Sequence, residues 1–423
     1  MKQRIAVIGS GVAGLVSAYY LSQKHHVDVF ESSDRIGGHT HTAYVTEPQG
    51  SIAIDTGFIV FNHENYPEFL KFLKTLNVPY QNSDMSFSVT CTQRNFCWGS
   101  DFPKGVFAQP KHYFSPSFYQ FLWGVHQFNN RCLAALKEGL NDQTTLKDFL
   151  TQHHVSRTVI DDYVLPMASA IWSGSFQDML GFPIRSFIQF WNNHQLLEIG
   201  KGLQWKTITN GAQSYIDKVI PTISGQIHTR TPVQEIQRTD DGVRIRVAGE
   251  WRLFDGVVVA THADTAHRML CAPSPLESAL LGPWQYSDNH TYLHSDTAVM
   301  PFKHHAWCSW NLRKPAKKNN ASPATVTYWM NRLQSLPTKT PYFVTLNPET
   351  PIEPTLIHKE IKVTHPIMSQ TAMATQPKLP LLNKQSRIVY CGSYFGYGFH
   401  EDAAASAVSA ANALSATLSP IRT

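Results

Sequence analysis

The chain is predicted to be an α/β protein, in which a doubly wound parallel-sheet domain is interleaved with a mixed sheet-plus-helices domain. Three observations carry this. The apolar run Ile5-Ala6-Val7-Ile8 enters Gly9-Ser10-Gly11-Val12-Ala13-Gly14 and then a helical stretch, Leu15 to Leu21. A second strand-like run, Val27 to Phe30, closes on the acid Glu31. Two strands of the same apolar kind return far downstream: Phe254 to Val259 runs into Ala260-Thr261, and Arg387 to Tyr390 runs into Gly392-Ser393. Strands without polar alternation suit a parallel sheet covered by helices on both faces.

The glycine spacing G-x-G-x-x-G, with an acid about twenty residues further on, is the Rossmann-like dinucleotide-binding pattern. Gly9 permits the tight turn, Gly11 lets the backbone approach a pyrophosphate, and Gly14 lets the helix sit close on its strand. Ser10, Val12 and Ala13 fall at the helix N-terminus, where free N–H groups favour an anion. Glu31 is placed to accept hydrogen bonds from ribose hydroxyls, with Ser32 beside it. A second glycine pair follows at once, in Arg35-Ile36-Gly37-Gly38-His39-Thr40. A plain NAD-binding unit has no need of it. A glycine pair there lets the backbone pass the ribitol and diphosphate of a larger cofactor, which points to FAD. Asp55-Thr56-Gly57-Phe58 adds a bend where a strand can meet the flavin.

Composition agrees. With 423 residues, 42% hydrophobic and 16% charged, the chain is globular and long enough for two interleaved domains. The 36 basic against 31 acidic residues form no concentrated stripe, which argues against nucleic acid as a partner. The longest basic run, Lys314 to Lys318, is expected to be a solvated loop. Six cysteines without a C-x-x-C or a regular framework suit thiols in a reducing cytosol. No stretch of about 20 apolar residues is present, so no membrane span is expected. The expected location is cytoplasmic, with room for peripheral contact at the inner membrane face.

Along the chain the character alternates. Residues 1–90 carry the first cofactor-type segment, with a helix around Tyr66 to Leu76. Residues 91–205 are rich in aromatics, with helical periodicity over 117–138, 145–153 and 157–170. Residues 206–275 return to the cofactor type: a helix over Ala212 to Val219, a strand over Ile227 to Ile236, and a hairpin from Val243 to Phe254 around Gly249. Residues 276–384 hold strands near Thr325 to Trp329 and Tyr342 to Leu346. Residues 385–423 end on a flexible aromatic loop, Tyr394 to Asp402, and an alanine-rich helix, Ala403 to Leu414, with Asp402 as N-cap.

These motifs resemble the flavin-containing amine oxidase and phytoene desaturase superfamily, whose N-terminal signature is G-x-G-x-x-G, an acid, then R-x-G-G. The resemblance implies that Val233 contacts the adenine, that Ala260-Thr261 forms the turn after the last strand of the middle segment, and that the final helix aims its N-terminus at the flavin pyrimidine. It extends the cofactor contacts to Gly57, Phe58, Gly392, Ser393, Phe399, His400, Glu401, Asp402 and Ala403. The chain departs from the pattern at three places. His39 stands where a basic Arg or Lys is common, His262 replaces a proline, and Ser393 replaces an acid. The segments Gly37 to Thr42, Asp55 to Asn62, Asp84 to Ser88, Ala170 to Ser173, Tyr328 to Gln334, Val344 to Pro348 and Tyr394 to Asp402 are similar to one bacterial branch. Members of that branch occur beside cyclopropane-fatty-acid-synthase-like methyltransferases, which implies a lipid substrate.

The implied chemistry is hydride transfer from an activated C–H to flavin N5. An allylic or branched acyl chain calls for an apolar tunnel and a base, for which His400, Glu401 or His39 are candidates. An amine calls instead for an aromatic cage, for which Tyr394 and Tyr397 are candidates. Amine oxidation is therefore the alternative, and a non-enzymatic binding protein on the same fold is the third reading. No second G-x-G-x-x-G is present for a nicotinamide cofactor. Lys303 does not match the lysine that many amine oxidases place near N5 and is expected at the surface. His39-Thr40-His41 lacks a Cys or carboxylate partner at metal-site spacing, so no metal is expected. Trp172 is either a cavity wall or core. The aromatic stretch 102–128, with Lys104, Lys111 and Arg131, is either core packing or a surface that dips into a membrane.

Overall fold

The computed structural model describes residues 2–141, 143–198, 202–314 and 324–419. Its first layer is a five-stranded, all-parallel sheet in the order Ile227–His228, His26–Phe30, Arg4–Ile8, Gly256–Val259 and Ile388–Tyr390. Ile5, Ala6 and Val7, like Val257, Val258 and Val259, are fully buried, as expected of strands covered on both faces. The helix Val12–Ser22 and the C-terminal helix His400–Leu418 pack on each other over the sheet. Small residues on the latter, Ala403, Ala404, Ala407 and Ala411, let the two approach.

The second layer is a seven-stranded sheet in the order Ile357–Ile367, Gln285–His294, Phe343–Leu346, Thr325–Trp329, Trp310–Arg313, Phe87–Cys91 and Phe96–Gly99. All pairs are antiparallel except Trp310–Arg313 with Phe87–Cys91. The helices Pro116–Glu138, Leu146–Gln152, Leu165–Trp172, Phe176–Leu180 and Ile184–Asn193 build an aromatic core beside this sheet. The parallel sheet thus draws strands from residues 4–30, 227–259 and 388–390, and the seven-stranded sheet from 87–99 and 285–367.

Several sequence expectations need correction. The strand expected over Ile227 to Ile236 is two strands in two sheets. Arg230 takes a left-handed φ of 53° and Pro232 follows, so Ile227–His228 stays in the parallel sheet while Val233–Arg238 joins a three-stranded antiparallel ribbon. The hairpin at Gly249 forms as expected, with Ala248 and Gly249 both at positive φ. Of the run Lys314 to Lys318, residues 315–318 lie outside the described residues. Lys314 itself is not solvated: its Nζ lies 2.8 Å from the buried Asp162.

The C-terminal helix begins at His400, three residues before the expected Ala403. Its N-cap is Phe399 rather than Asp402. The Asp402 carboxylate instead reaches back to accept from the backbone N–H of Phe399 and of Tyr397, both at 2.9 Å. That is the reciprocal arm of a capping arrangement, so an acid three residues into the helix does what the sequence suggested for its first position.

Candidate functional site

The site is built where the C-terminal ends of the parallel strands meet. At the end of Arg4–Ile8 the chain turns through Gly9 and enters the helix at Val12. A Cβ on Gly14 would stand 1.9 Å from the Gly9 carbonyl oxygen, so only glycine lets the helix sit this close. The Ala260 carbonyl closes the turn from the neighbouring strand, with Ala260 N donating to Ile8 O at 2.8 Å. Gly392 follows the last strand, beside the Thr261 carbonyl.

The second glycine pair folds onto the first. Gly37 N donates to Ser10 O at 3.1 Å, and a Cβ on Gly38 would lie 2.9 Å from Gly11 Cα. Arg35 braces this loop, donating to Thr40 O at 2.7 Å and Gly38 O at 2.6 Å. Its guanidinium is therefore occupied by protein carbonyls and shapes the loop from behind. A Cβ on Gly57 would be 2.0 Å from His39 O, so the strand before Phe58 can run along this loop only as glycine.

Glu31 sits as the motif predicts, buried, at the end of its strand. Burial acts to raise its pKa, but hydrogen bonds from Ser10 and Ser33 outweigh this and hold the carboxyl below its usual range. Ser10 N and Oγ donate to Oε2 at 2.9 and 2.6 Å; Ser33 N and Oγ donate to Oε1 at 2.9 and 3.0 Å. Ser32 Oγ adds a longer contact at 3.3 Å. A carboxylate offers about four lone-pair positions, so a ribose hydroxyl that bonds here displaces a serine hydroxyl. Thr231 N donates to Glu31 O at 2.8 Å, which brings the segment leading to Val233 alongside.

A group of histidines lines the other side of the glycine loops. His39 lies 5.4 Å from His365 and 6.0 Å from His262, ring centre to ring centre. His39 Nε2 bonds to the Thr364 carbonyl at 3.1 Å, and since a carbonyl only accepts, that nitrogen carries the proton. His262 stacks on Tyr286 at 4.2 Å. His400 stacks on Phe58 at 3.6 Å and bonds through Nε2 to Thr40 Oγ1 at 3.0 Å; Thr40 in turn meets Tyr215 Oη at 2.6 Å. Burial pushes His262 down to about 4 and His365 and His400 to about 3, so all three are neutral near pH 7. A base so weakened is a poor proton acceptor, which removes the reason for expecting His400 to be the general base.

Two other expected site residues are committed elsewhere. The carboxylate of Glu401 accepts from Glu68 N at 3.1 Å and Phe69 N at 2.9 Å, capping the helix Pro67–Thr75. Asp402 is taken by the loop bonds described above. Tyr394, expected as a cage aromatic, is buried. Only 1% exposed, it packs on Trp284 at 5.7 Å, and its hydroxyl has no partner among the described residues. Tyr397 stays half-buried on the accessible side, 5.7 Å from Phe190, and its carbonyl accepts from Trp172 Nε1 at 3.3 Å. Phe399 stacks on Phe190 at 5.0 Å, and Phe190 lies 4.9 Å from Trp172. Ser393 opens a short turn before Gly396, and Ala403 is buried in the first turn of the last helix.

Sequence reasoning missed Tyr215, His365 and Phe190. His365 is one residue of a long edge strand and Phe190 one of a helix full of aromatics, so neither carried a local signal. Lys303 is exposed, as expected. No group of three or more metal-ligating side chains occurs among the described residues. No described helix is long and apolar enough to cross a membrane.

The residues present fit FAD. Space in front of Gly11 is open, with no atom within 4 Å of a Cβ built there, and the helix N-terminus lies directly behind it. The ionised Glu31 closes one end of this cradle.

Comparisons with known proteins agree. The family described as flavin containing amine oxidoreductase matches residues 12–352. The chain is similar in structure to cyclohexylamine oxidase from Brevibacterium oxydans, with 15% identity and a TM-score of 0.68 over 98% of this chain and 99% of that one. A fatty acid isomerase from P. acnes is comparable, at 13% identity and a TM-score of 0.67 over 99% of each chain. A flavin-dependent L-tryptophan oxidase from Lentzea aerocolonigenes is 54% identical over 41 residues, spanning 10% of this chain and only 9% of that protein. The chain is an FAD-dependent oxidoreductase and belongs to the flavin-containing amine oxidoreductase family.

Proposed function

We propose that this oxidoreductase takes hydride from a C–H of an apolar substrate, a fatty acyl chain free or in phospholipid, and so desaturates or oxidises it. Bound FAD supplies the hydride acceptor at N5. In this reading Gly9 to Gly14 and Gly37 to Thr40 hold the diphosphate, Glu31 the ribose, and Val233, Ala260 and Thr261 the adenosine side. Gly57, Phe58, Gly392, Ser393, Phe399 and Ala403 border the flavin. The division into segments at residues 90, 205, 275 and 384 is part of the proposal. It is supported by the separate stretches from which the two large sheets draw their strands.

The observation that carries the substrate class is an aromatic wall in which Tyr397 and Phe399 stay part exposed, backed by the buried Trp172 and Phe190. Its members lie within 6 Å of one another in sequence of contact, and Trp172 spends its one polar atom on a backbone carbonyl. Such a wall offers an acyl chain dispersion contact and excludes water. His400 acts as a positioning residue, held by Phe58 and Thr40. His39, whose Nε2–H is bonded to the Thr364 carbonyl, has its pKa lowered by burial as His400 has, so it too is read as a positioning residue and not as the proton acceptor.

Amine oxidation is the second reading, favoured by the same aromatics, which could flank a neutral amine. Incubation with phospholipids bearing unsaturated or methyl-branched chains, followed by mass spectrometry, separates the two. Acyl chains lighter by two hydrogens are the expected product. Unchanged lipids, with aldehyde formed from an amine panel, would move the assignment to amine oxidation.

A further inference from the structure

We propose that the face formed by the loops at Phe102 and Phe114 and the outer side of the helix Pro116–Glu138 docks on an anionic phospholipid bilayer. The proposal rests on the acyl-chain reading only for what the docked protein collects.

The aromatics of this segment separate into two sets. Phe118, Phe121 and Phe128 are 5% exposed or less and enter the core. Phe102, Phe114 and Trp123 are 80%, 88% and 61% exposed. Burying the first set leaves the second without a core role. Between them in sequence, Phe107, Tyr113 and Tyr119 form a contiguous, part-exposed cluster. Phe107 stacks on Tyr113 at 4.4 Å and lies 6.1 Å from Tyr119, whose hydroxyl donates to the Tyr113 carbonyl at 3.2 Å. Phe107 N donates to Pro103 O at 3.0 Å, which ties the Phe102 loop to the same face. Contiguous exposed apolar surface of this kind marks an interaction site.

Charge selects the partner. From residue 101 to 131 the cations are Lys104, Lys111 and Arg131, and the acid is Asp101. Asp101 is turned to Arg332 at 2.7 Å, which it shares with Asp84 at 2.9 Å. Lys111 donates to the Asn95 carbonyl at 2.9 Å and keeps its charge at the surface. Protruding aromatic tips with Lys104 and Lys111 on the same exposed segments match a headgroup layer of negative charge over acyl chains. A protein partner would instead call for a central pocketed cluster, whereas Phe102, Phe114 and Trp123 project from a loop, the end of a short turn and a helix. The inner side of the same helix packs into the aromatic core that backs the substrate wall. Phe128 lies 6.0 Å from Trp191, Trp191 4.5 Å from Phe187, and Phe187 6.1 Å from Trp172 of the substrate wall.

The test is flotation of the flavin-loaded protein with vesicles, without turnover. Phosphatidylglycerol vesicles should carry it; phosphatidylcholine vesicles should not, and raised salt should release it. The variant Phe102→Ser/Phe114→Ser/Trp123→Ser should lose about tenfold in partitioning per ring while keeping its flavin content and circular dichroism. Lys104→Glu/Lys111→Glu should lose phosphatidylglycerol binding with the aromatics intact. Failure of the wild type to float on phosphatidylglycerol overturns the proposal. So does equal, salt-insensitive binding to both lipids, or a dimer that the aromatic variant abolishes without any flotation. Flotation combined with no oxidation of any lipid would leave this surface standing and sink the acyl-chain reading instead.

Discussion

Gly38 lies backbone to backbone against Gly11, so that a single methyl added to Gly38 would stand 2.9 Å from Gly11 Cα. The two glycine motifs, separate in sequence, are one cradle in space. Gly38 also has a left-handed φ of 57°. Gly38→Ala therefore meets both strain and a clash, about 1–3 kcal/mol of the kind that translates to about 5- to 150-fold in affinity. Flavin content measured by visible absorbance should fall accordingly. Gly50→Ala is the control: its φ of 133° is strained too, but nothing lies within 4 Å of it and flavin content should hold.

His400→Phe should keep the stack on Phe58 and delete the bond to Thr40. The expected result is a kcat lower by about tenfold or more, with KM and flavin content little changed, as befits a positioning residue. Parallel loss of flavin would make His400 part of the cofactor seat instead.

Stability should fall on acidification below neutrality. Burial lowers His41, His194, His262 and His294 to about 4 and His365 and His400 to about 3, against a reference of 6.5. The unfolded chain binds these protons first, so stability present above pH 6.5 is lost as pH drops toward 4. Asp55 and Asp402, raised by burial to about 7 from 3.8, act oppositely: their contribution is present at low pH and lost as pH rises through 7. Six histidines outweigh two carboxyls, so the Tm at pH 5 should lie below that at pH 7. A higher Tm at pH 5 would contradict this balance.

Asp162 holds the aromatic core to the seven-stranded sheet. Its side chain is 3% exposed and pairs with Arg94 and with Lys314, while its carbonyl accepts from Trp98 Nε1. Asp162→Ala leaves Lys314, 13% exposed, without its counter-charge. The cost should approach about 3–5 kcal/mol, read by urea denaturation. A loss under about 1 kcal/mol would show the pair to be as solvent-screened as a surface bridge.

The parallel sheet and its glycine turn were legible because their signal is local: an apolar run, fixed spacing and an acid. The middle segment was legible too, except where Arg230 switches the chain between sheets, a turn that Thr-Arg-Thr-Pro hardly announces. The start of the last helix was misplaced because Asp402 has the side chain of an N-cap but sits three residues inside, doing its capping from there. The histidine group could not be seen at all. His39, His262, His365 and His400 come from four segments, and only tertiary contacts between distant stretches bring them together. Tyr394 failed for the opposite reason: an aromatic in a glycine-rich loop suggests exposure, yet the turn after Gly392 folds it into the core.

The most direct test is anaerobic mixing of the flavin-loaded protein with one donor at a time, followed by visible absorbance. Bleaching by phospholipid or free fatty acid with unsaturated or branched chains, and none by simple amines or polyamines, is the predicted result. Bleaching by an amine with no response to any lipid would contradict the account.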